Sequence, residues 1–219
     1  MQLGKIKEAQ AISPDYYMVP PIDRRLTVES DRFSELSNMF AQAGNLERAL
    51  EYALRCADIE KQVAGKEHIW YGNSTIIIGN LYYALGDSIN AEENYLINKN
   101  ICKHTYGEYS ERYVDALLSL ASVNTDFSMK DGLDKATRYL DEAYSIAHKR
   151  YPLLEAQIVN QQSVIAFRNK NYEQAKTLMM QALSLCELAE GKTSNNYEIL
   201  LSNTIDLYQM FGQYDEAIT

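Results

Sequence analysis

From Glu29 onward, apolar residues return every three or four positions. Phe33, Leu36, Met39-Phe40 and Ala43 lie on one such stripe, the spacing of a helix with one buried face. Gly44-Asn45 then breaks the stripe, because glycine accepts the left-handed conformation that closes a helix. A second stripe follows in Leu46, Ala49-Leu50, Ala53-Leu54 and Ala57. The same alternation predicts helix pairs over 71–85 with 88–103, 110–126 with 133–149, and 153–169 with 172–188. A further helix is predicted over 195–211, and another opens at Tyr214.

The pairs repeat with a period of about 42 residues, the mark of a stacked array. Two glycine series carry it. Gly65, Gly107 and Gly191 share one register, with Lys149 in the remaining slot, and six residues after each glycine stands Tyr71, Tyr113 or Tyr197. Gly44, Gly86 and Gly212 share the other, each followed five residues later by Ala49, Ala91 or Ala217. Ser128 and Lys170 fill the weaker turn slots, yet Ala175 keeps register. Ala136 arrives about three residues late, which predicts a small insertion near 128–131.

Upstream, a short helix is expected over 3–12, stopped at Ser13-Pro14. Pro20-Pro21 keeps the following linker extended, and its Tyr16-Tyr17-Met18-Val19 either packs over the first repeat or docks into a groove, its own or a neighbour's. Residues 1–28 therefore read as a short helix and a Pro-containing linker, either the tail of an earlier repeat or a leader that covers the first one, and 29–219 as repeats over 29–64, 65–106, 107–149, 150–190 and 191–219. The last pair breaks off after Ala217, so a longer parent chain is expected.

Charge narrows the partners. A net charge of −9 disfavours nucleic acid and anionic membrane, which reward a basic face. No run is apolar enough for a membrane helix, and the first residues lack a signal-peptide core. Cys56, Cys102 and Cys186 match no metal or redox spacing. Cys102 and Cys186 are two periods apart and read as core thiols in a reducing, cytoplasmic setting. His68, His104 and His148 form no dyad with a nucleophile, and no phosphate loop or zinc motif is present. Neither catalysis nor a cofactor or metal is expected.

The turn Gly212-Gln213-Tyr214-Asp215-Glu216-Ala217 resembles that of the tetratricopeptide repeat. The longer period and the lead-in Gly65, His68, Tyr71 are similar to the repeats of kinesin light chain. Such repeats also occur in bacterial regulatory proteins, some carrying a caspase-like CHAT protease. Ser37/Phe40 and Gly79/Tyr82 fit the small-then-aromatic spacing of the first helix, whereas Ile205/Tyr208 keeps only the aromatic. The fourth repeat departs furthest, with Lys170 for the turn glycine and Ala166 for the aromatic. The resemblance implies an all-α, right-handed solenoid of about five helix pairs, the last incomplete.

It also implies a concave wall lined by the first helix of each pair. Carried onto this register, the wall includes Ser34, Ile76, Leu118, Asn160 and Ser202, and one turn later Asn38, Asn80, Ser122, Val164 and Asp206, with Tyr83 beside them. Amides there suit an extended peptide, since one side chain can both donate and accept. The two-carboxylate clamp of some relatives needs lysine where Ser34, Ile76 and Leu118 stand, so that ligand is disfavoured. The expected function is a protein-interaction scaffold, forming the regulatory part of a larger protein and receiving a peptide or partner domain. A peptide-sensing switch controlling an attached protease or DNA-binding domain is the alternative. Self-association through exposed repeat ends is a further expectation.

Overall fold

The computed structural model describes residues 24–127 and 131–210. The expected helix over 3–12, the Tyr16-Tyr17 segment, Gly212 and the helix from Tyr214 lie outside the described residues. The described residues are all-helical: α1 (Arg24–Gln42), α2 (Leu46–Ala64), α3 (Ile69–Ala84), α4 (Ser88–Tyr106), α5 (Glu111–Asp126), α6 (Gly132–Ala147), α7 (Pro152–Arg168), α8 (Tyr172–Glu190) and α9 (Asn195–Met210). Two compact units, Met1–Glu108 and Tyr109–Thr219, divide the chain.

In the first unit α1 packs on α2 and α3 on α4, and α2 joins the two hairpins by packing on α3. Ala49, Ala53, Ala57, Ile78 and Leu81 are its buried centre, with Phe40, Tyr71 and Tyr82 packed around them. The second unit repeats the scheme with hairpins α5–α6 and α7–α8, joined where α7 meets both α6 and α5, and α9 packs on α8. Leu117, Leu120, Leu140 and Ile158 are fully enclosed there. Each hairpin has one apolar face of its own and takes the second from its neighbour.

The turns explain the period. After α1, the Gly44 N–H donates to Ala41 O and the Asn45 N–H to Phe40 O. This paired arrangement ends a helix on a left-handed residue, and Gly44 has φ +75. The same two bonds recur at Gly86/Asp87 and at Lys170/Asn171. The residue after the turn then caps the next helix: Asn45 Oδ1 accepts from Arg48 N and Asp87 Oδ1 from Asn90 N. Hydrogen bonds from Asn90 to Asp87 hold its carboxyl below the usual carboxylate range. Lys170 keeps the left-handed turn at φ 63 although it carries a side chain. Asp131, five residues before the late Ala136, is left-handed as well.

The lead-ins explain the second series. Gly65, Gly107 and Gly191 pair a positive φ with ψ near 160–169, a conformation nearly closed to other residues. This is why α4 and α8 run on to Tyr106 and Glu190, past the expected 103 and 188. Helix α1 likewise begins at Arg24 rather than at 29, and α6 stops at Ala147 rather than at 149. Three residues after each lead-in glycine a side chain caps the next helix: His68 Nδ1 accepts from Trp70 N, Ser110 Oγ from Tyr113 N, and Ser194 Oγ from Tyr197 N. The histidine of the lead-in is thus one of several residues able to cap, and serine is a better one.

Lys149 takes a different path. Arg150 N–H and Tyr151 N–H both donate to Ala147 O, and Pro152 opens α7. Glu155 fills the tyrosine slot, almost fully buried. Its carboxylate lies 2.7 Å from His148 Nδ1 and accepts the Lys149 N–H at 2.9 Å. A buried carboxylate persists only when it is bonded in this way.

Candidate functional site

The wall of first helices is best developed between α5 and α7. The helices present Leu118, Ser119 and Ser122 on one side and Gln157, Asn160 and Gln161 on the other, around a cavity of about 320 Å³. Three wall residues expected from the sequence, Leu118, Ser122 and Asn160, meet here. Gln161 stitches the helices together, its Nε2 donating to Ser122 Oγ at 3.0 Å and to Leu118 O at 3.4 Å. The carboxamide oxygens of Asn160 and Gln161 are buried and have no hydrogen-bond partner. Leaving such an acceptor unpaired costs about 1–3 kcal/mol.

Asp115 stands at the cavity's edge. It is exposed as a residue, yet protein crowds its carboxyl, and this loss of hydration raises its pKa above the usual value. Arg112 opposes the shift and Glu111 adds to it. Its exposure leaves the carboxyl group within reach of a cationic partner. Asp115 and Gln157 each precede an expected wall residue by three positions. That helical step is the signal that would have found them.

The other wall candidates do not converge. Ser34 lines a crevice of about 10 Å³ with Ser37 and Cys56, enough for one water at most. Asn38 and Asp206 are exposed, whereas Ile76, Tyr83 and Val164 are half-buried. Asn80 is exposed, but its Oδ1 already accepts the Tyr95 hydroxyl at 2.9 Å.

The first unit also holds a polar cluster that no motif announced. Ser30 and Ser74 face the Cys56 thiol at 3.3 and 3.6 Å, and the Ser74 hydroxyl donates to Glu60 at 2.6 Å. Burial pushes both the Cys56 thiol and the Glu60 carboxyl up, with Asp31 adding to the latter. Glu60 borders a cavity of about 230 Å³ beside Trp70 and Val63. A thiol whose ionisation is suppressed is a poor nucleophile, so the cluster is a packed polar core. None of the three cysteines is in a disulfide, and all three are buried. Among the described residues, no group of three or more His, Cys, Asp or Glu is placed to hold a metal. Among them, too, no helix is long and apolar enough to cross a membrane.

Residues 31–69 match the family model of the tetratricopeptide repeat. The fold is that of a tetratricopeptide-repeat protein. Two crystal structures of a Podosopora anserina kinesin light chain with nearly identical TPR-like repeats superpose with TM-scores of 0.66 and 0.64. Both are 18% identical to this chain and cover 88% of it, and 89% and 90% of their own chains. BtubC (BKLC) from P. vanneervenii superposes at 0.56, with 15% identity over 90% of this chain and 87% of its own. No curated protein matches the sequence. Tetratricopeptide repeats generally serve protein–protein interaction, and the fold is typically a non-catalytic scaffold. Extended surfaces of stacked helices suit that use.

Proposed function

We propose that the chain is an interaction scaffold whose first-helix wall holds an extended peptide, with the α5–α7 cavity as the anchoring point. The observation that carries this reading is that Asn160 and Gln161, whose carboxamide oxygens are buried without a hydrogen-bond partner, both line that cavity. Rotation of the two side chains toward the cavity would let backbone N–H groups of a peptide satisfy both, and Leu118 offers apolar cover beside them. Asp115 favours a peptide with a lysine or arginine near the anchor. This is the kind of partner an acidic chain attracts.

The test is selection from a displayed random-peptide library against the folded chain, followed by titration of the selected peptides. Asn160→Leu with Gln161→Leu is expected to weaken them by about tenfold or more, the worth of one or two hydrogen bonds. Asp115→Asn should weaken the basic ones by a smaller factor and reduce their salt dependence. Equal affinity for wild type and the double variant would overturn the assignment.

A further inference from the structure

In α3 and α9 the first helix of the repeat carries an aromatic residue that packs over the second helix of the preceding repeat, whereas α5 holds the buried Asn124 at this step. Tyr82 of α3 does so against the cluster that holds Ala49, Ala53 and Ala57 of α2. Tyr208 of α9, only 5% exposed, does so on α8, where Lys176 follows Ala175 as Leu50 follows Ala49, and the Lys176 ammonium lies 4.9 Å from the ring centre. In α7 the same slot holds Ala166, and on α6 the equivalent partners are Ala136 and Thr137. At this place the second unit has a cavity of about 310 Å³. Leu140, Ile165 and Ala166 are its buried apolar floor. Thr137, Asp141 and Gln162 stand around it, with Asn169, Asn171 and Gln174 at the hairpin end. The neighbouring Phe167 does not fill the space, because it turns toward Tyr172, 5.7 Å away between ring centres.

We infer that this cavity is a binding site for an aromatic side chain of a partner protein, a tyrosine by preference. The ring takes the place that the chain's own Tyr82 and Tyr208 occupy in α3 and α9. A floor of Leu, Ile and Ala suits a ring face, whereas a rim of amides and one carboxylate suits a hydroxyl. Tyrosine hydroxyls within this chain already choose such partners: Tyr113 donates to Glu142 at 2.7 Å and Tyr95 to Asn80. Thr137 is not a competing donor, as its hydroxyl is given to Leu133 O. The site goes beyond the peptide wall proposed above. Gln161 serves that wall and Gln162 this cavity, on different faces of α7.

The probe is p-cresol, the tyrosine side chain without its backbone, titrated into the isotope-labelled full chain by NMR. The backbone amides of Thr137, Gln162 and Gln174 are expected to shift together, with a dissociation constant on the order of 1 mM. Ala166→Tyr should abolish those shifts and raise Tm by about 3 °C, the effect of filling a cavity from within. Peptides selected by the α5–α7 wall should bind that variant unchanged, so this inference and that reading fail separately. If Ala166→Tyr does not fold, Ala166→Leu fills less of the space and should weaken p-cresol at least threefold. No shift in these amides at about ten times the expected constant, or shifts that survive Ala166→Leu, would overturn the inference.

Discussion

Hairpins α3–α4 and α7–α8 cross at the same repeat position and divide its volume differently between the two helices. In α3–α4 the first helix contributes Gly79 and the second Tyr95. A Cβ on Gly79 would lie 2.6 Å from the Tyr95 ring, so the ring occupies the volume a side chain would take. In α7–α8 the corresponding residues are Ser163 and Met179, their Oγ and sulfur 3.9 Å apart. Hairpin α5–α6 lies between these extremes with Ala121 and Leu140, both fully buried. In these three hairpins the crossing is filled by a sum of volumes rather than by one residue type, whereas α1–α2 carries two small residues there, Ser37 and Ala53. Extreme pairing has a consequence for chemistry: burial lifts the Tyr95 hydroxyl to about 12, so it serves as a donor to Asn80.

The comparison can be broken at its strongest point. Tyr95→Leu alone should cost roughly 2–3 kcal/mol, from lost burial and a cavity. Gly79→Ala alone should cost about 1–3 kcal/mol, since the ring must move, even though alanine is the better helix former. The double variant recreates the Ala121/Leu140 pair of α5–α6. Its loss in denaturant unfolding should therefore be smaller than the sum by about 1 kcal/mol or more. Strict additivity would show that the crossing is not compensated.

The turns sharpen the same contrast. Gly86 and Lys170 hold equivalent left-handed turns, at φ +82 and φ 63. Gly86→Val should lose roughly 1 kcal/mol or more, because a branched side chain fits this conformation poorly. Lys170→Gly should gain about 0.5–1 kcal/mol. Thermal unfolding of the two variants checks both signs, and equal effects in one direction would sink the assignment.

The smallest expected effect is a pH slope. The Glu60 carboxyl is raised by burial, so the folded state binds its proton more tightly than the unfolded state does. Its contribution to stability is nil below the unfolded value near 4.5 and turns unfavourable as pH rises through that value toward the raised one. Glu60→Gln should flatten this part of the stability profile while keeping an acceptor for Ser74. A profile parallel to wild type between mildly acidic and neutral pH would refute it.

Most of the helical hairpins could be read directly. A glycine that closes a helix and an alanine five residues on act within a few residues of chain, so Gly44/Ala49 and Gly86/Ala91 marked their turns unaided. The wall was half legible. Register found Leu118, Ser122 and Asn160, but not Gln161, Gln157 or Asp115, because the repeat fixes which face a residue lies on and not how its side chain bonds. The cap roles of Ser110 and Ser194 were missed because only the histidine of the lead-in was sought.

By itself, then, the sequence determined the period, the turn positions and the helical class, all of which follow from backbone conformations that few residues can adopt. Only the tertiary structure decided that Tyr95 fills the space beside Gly79. The same holds for Glu155 taking a tyrosine's place by bonding His148, and for the missing ring at Ala166 leaving a cavity rather than a collapsed wall. Each depends on atoms brought together from separate helices. Close packing makes the free space at one residue a property of its neighbours, which no local pattern encodes.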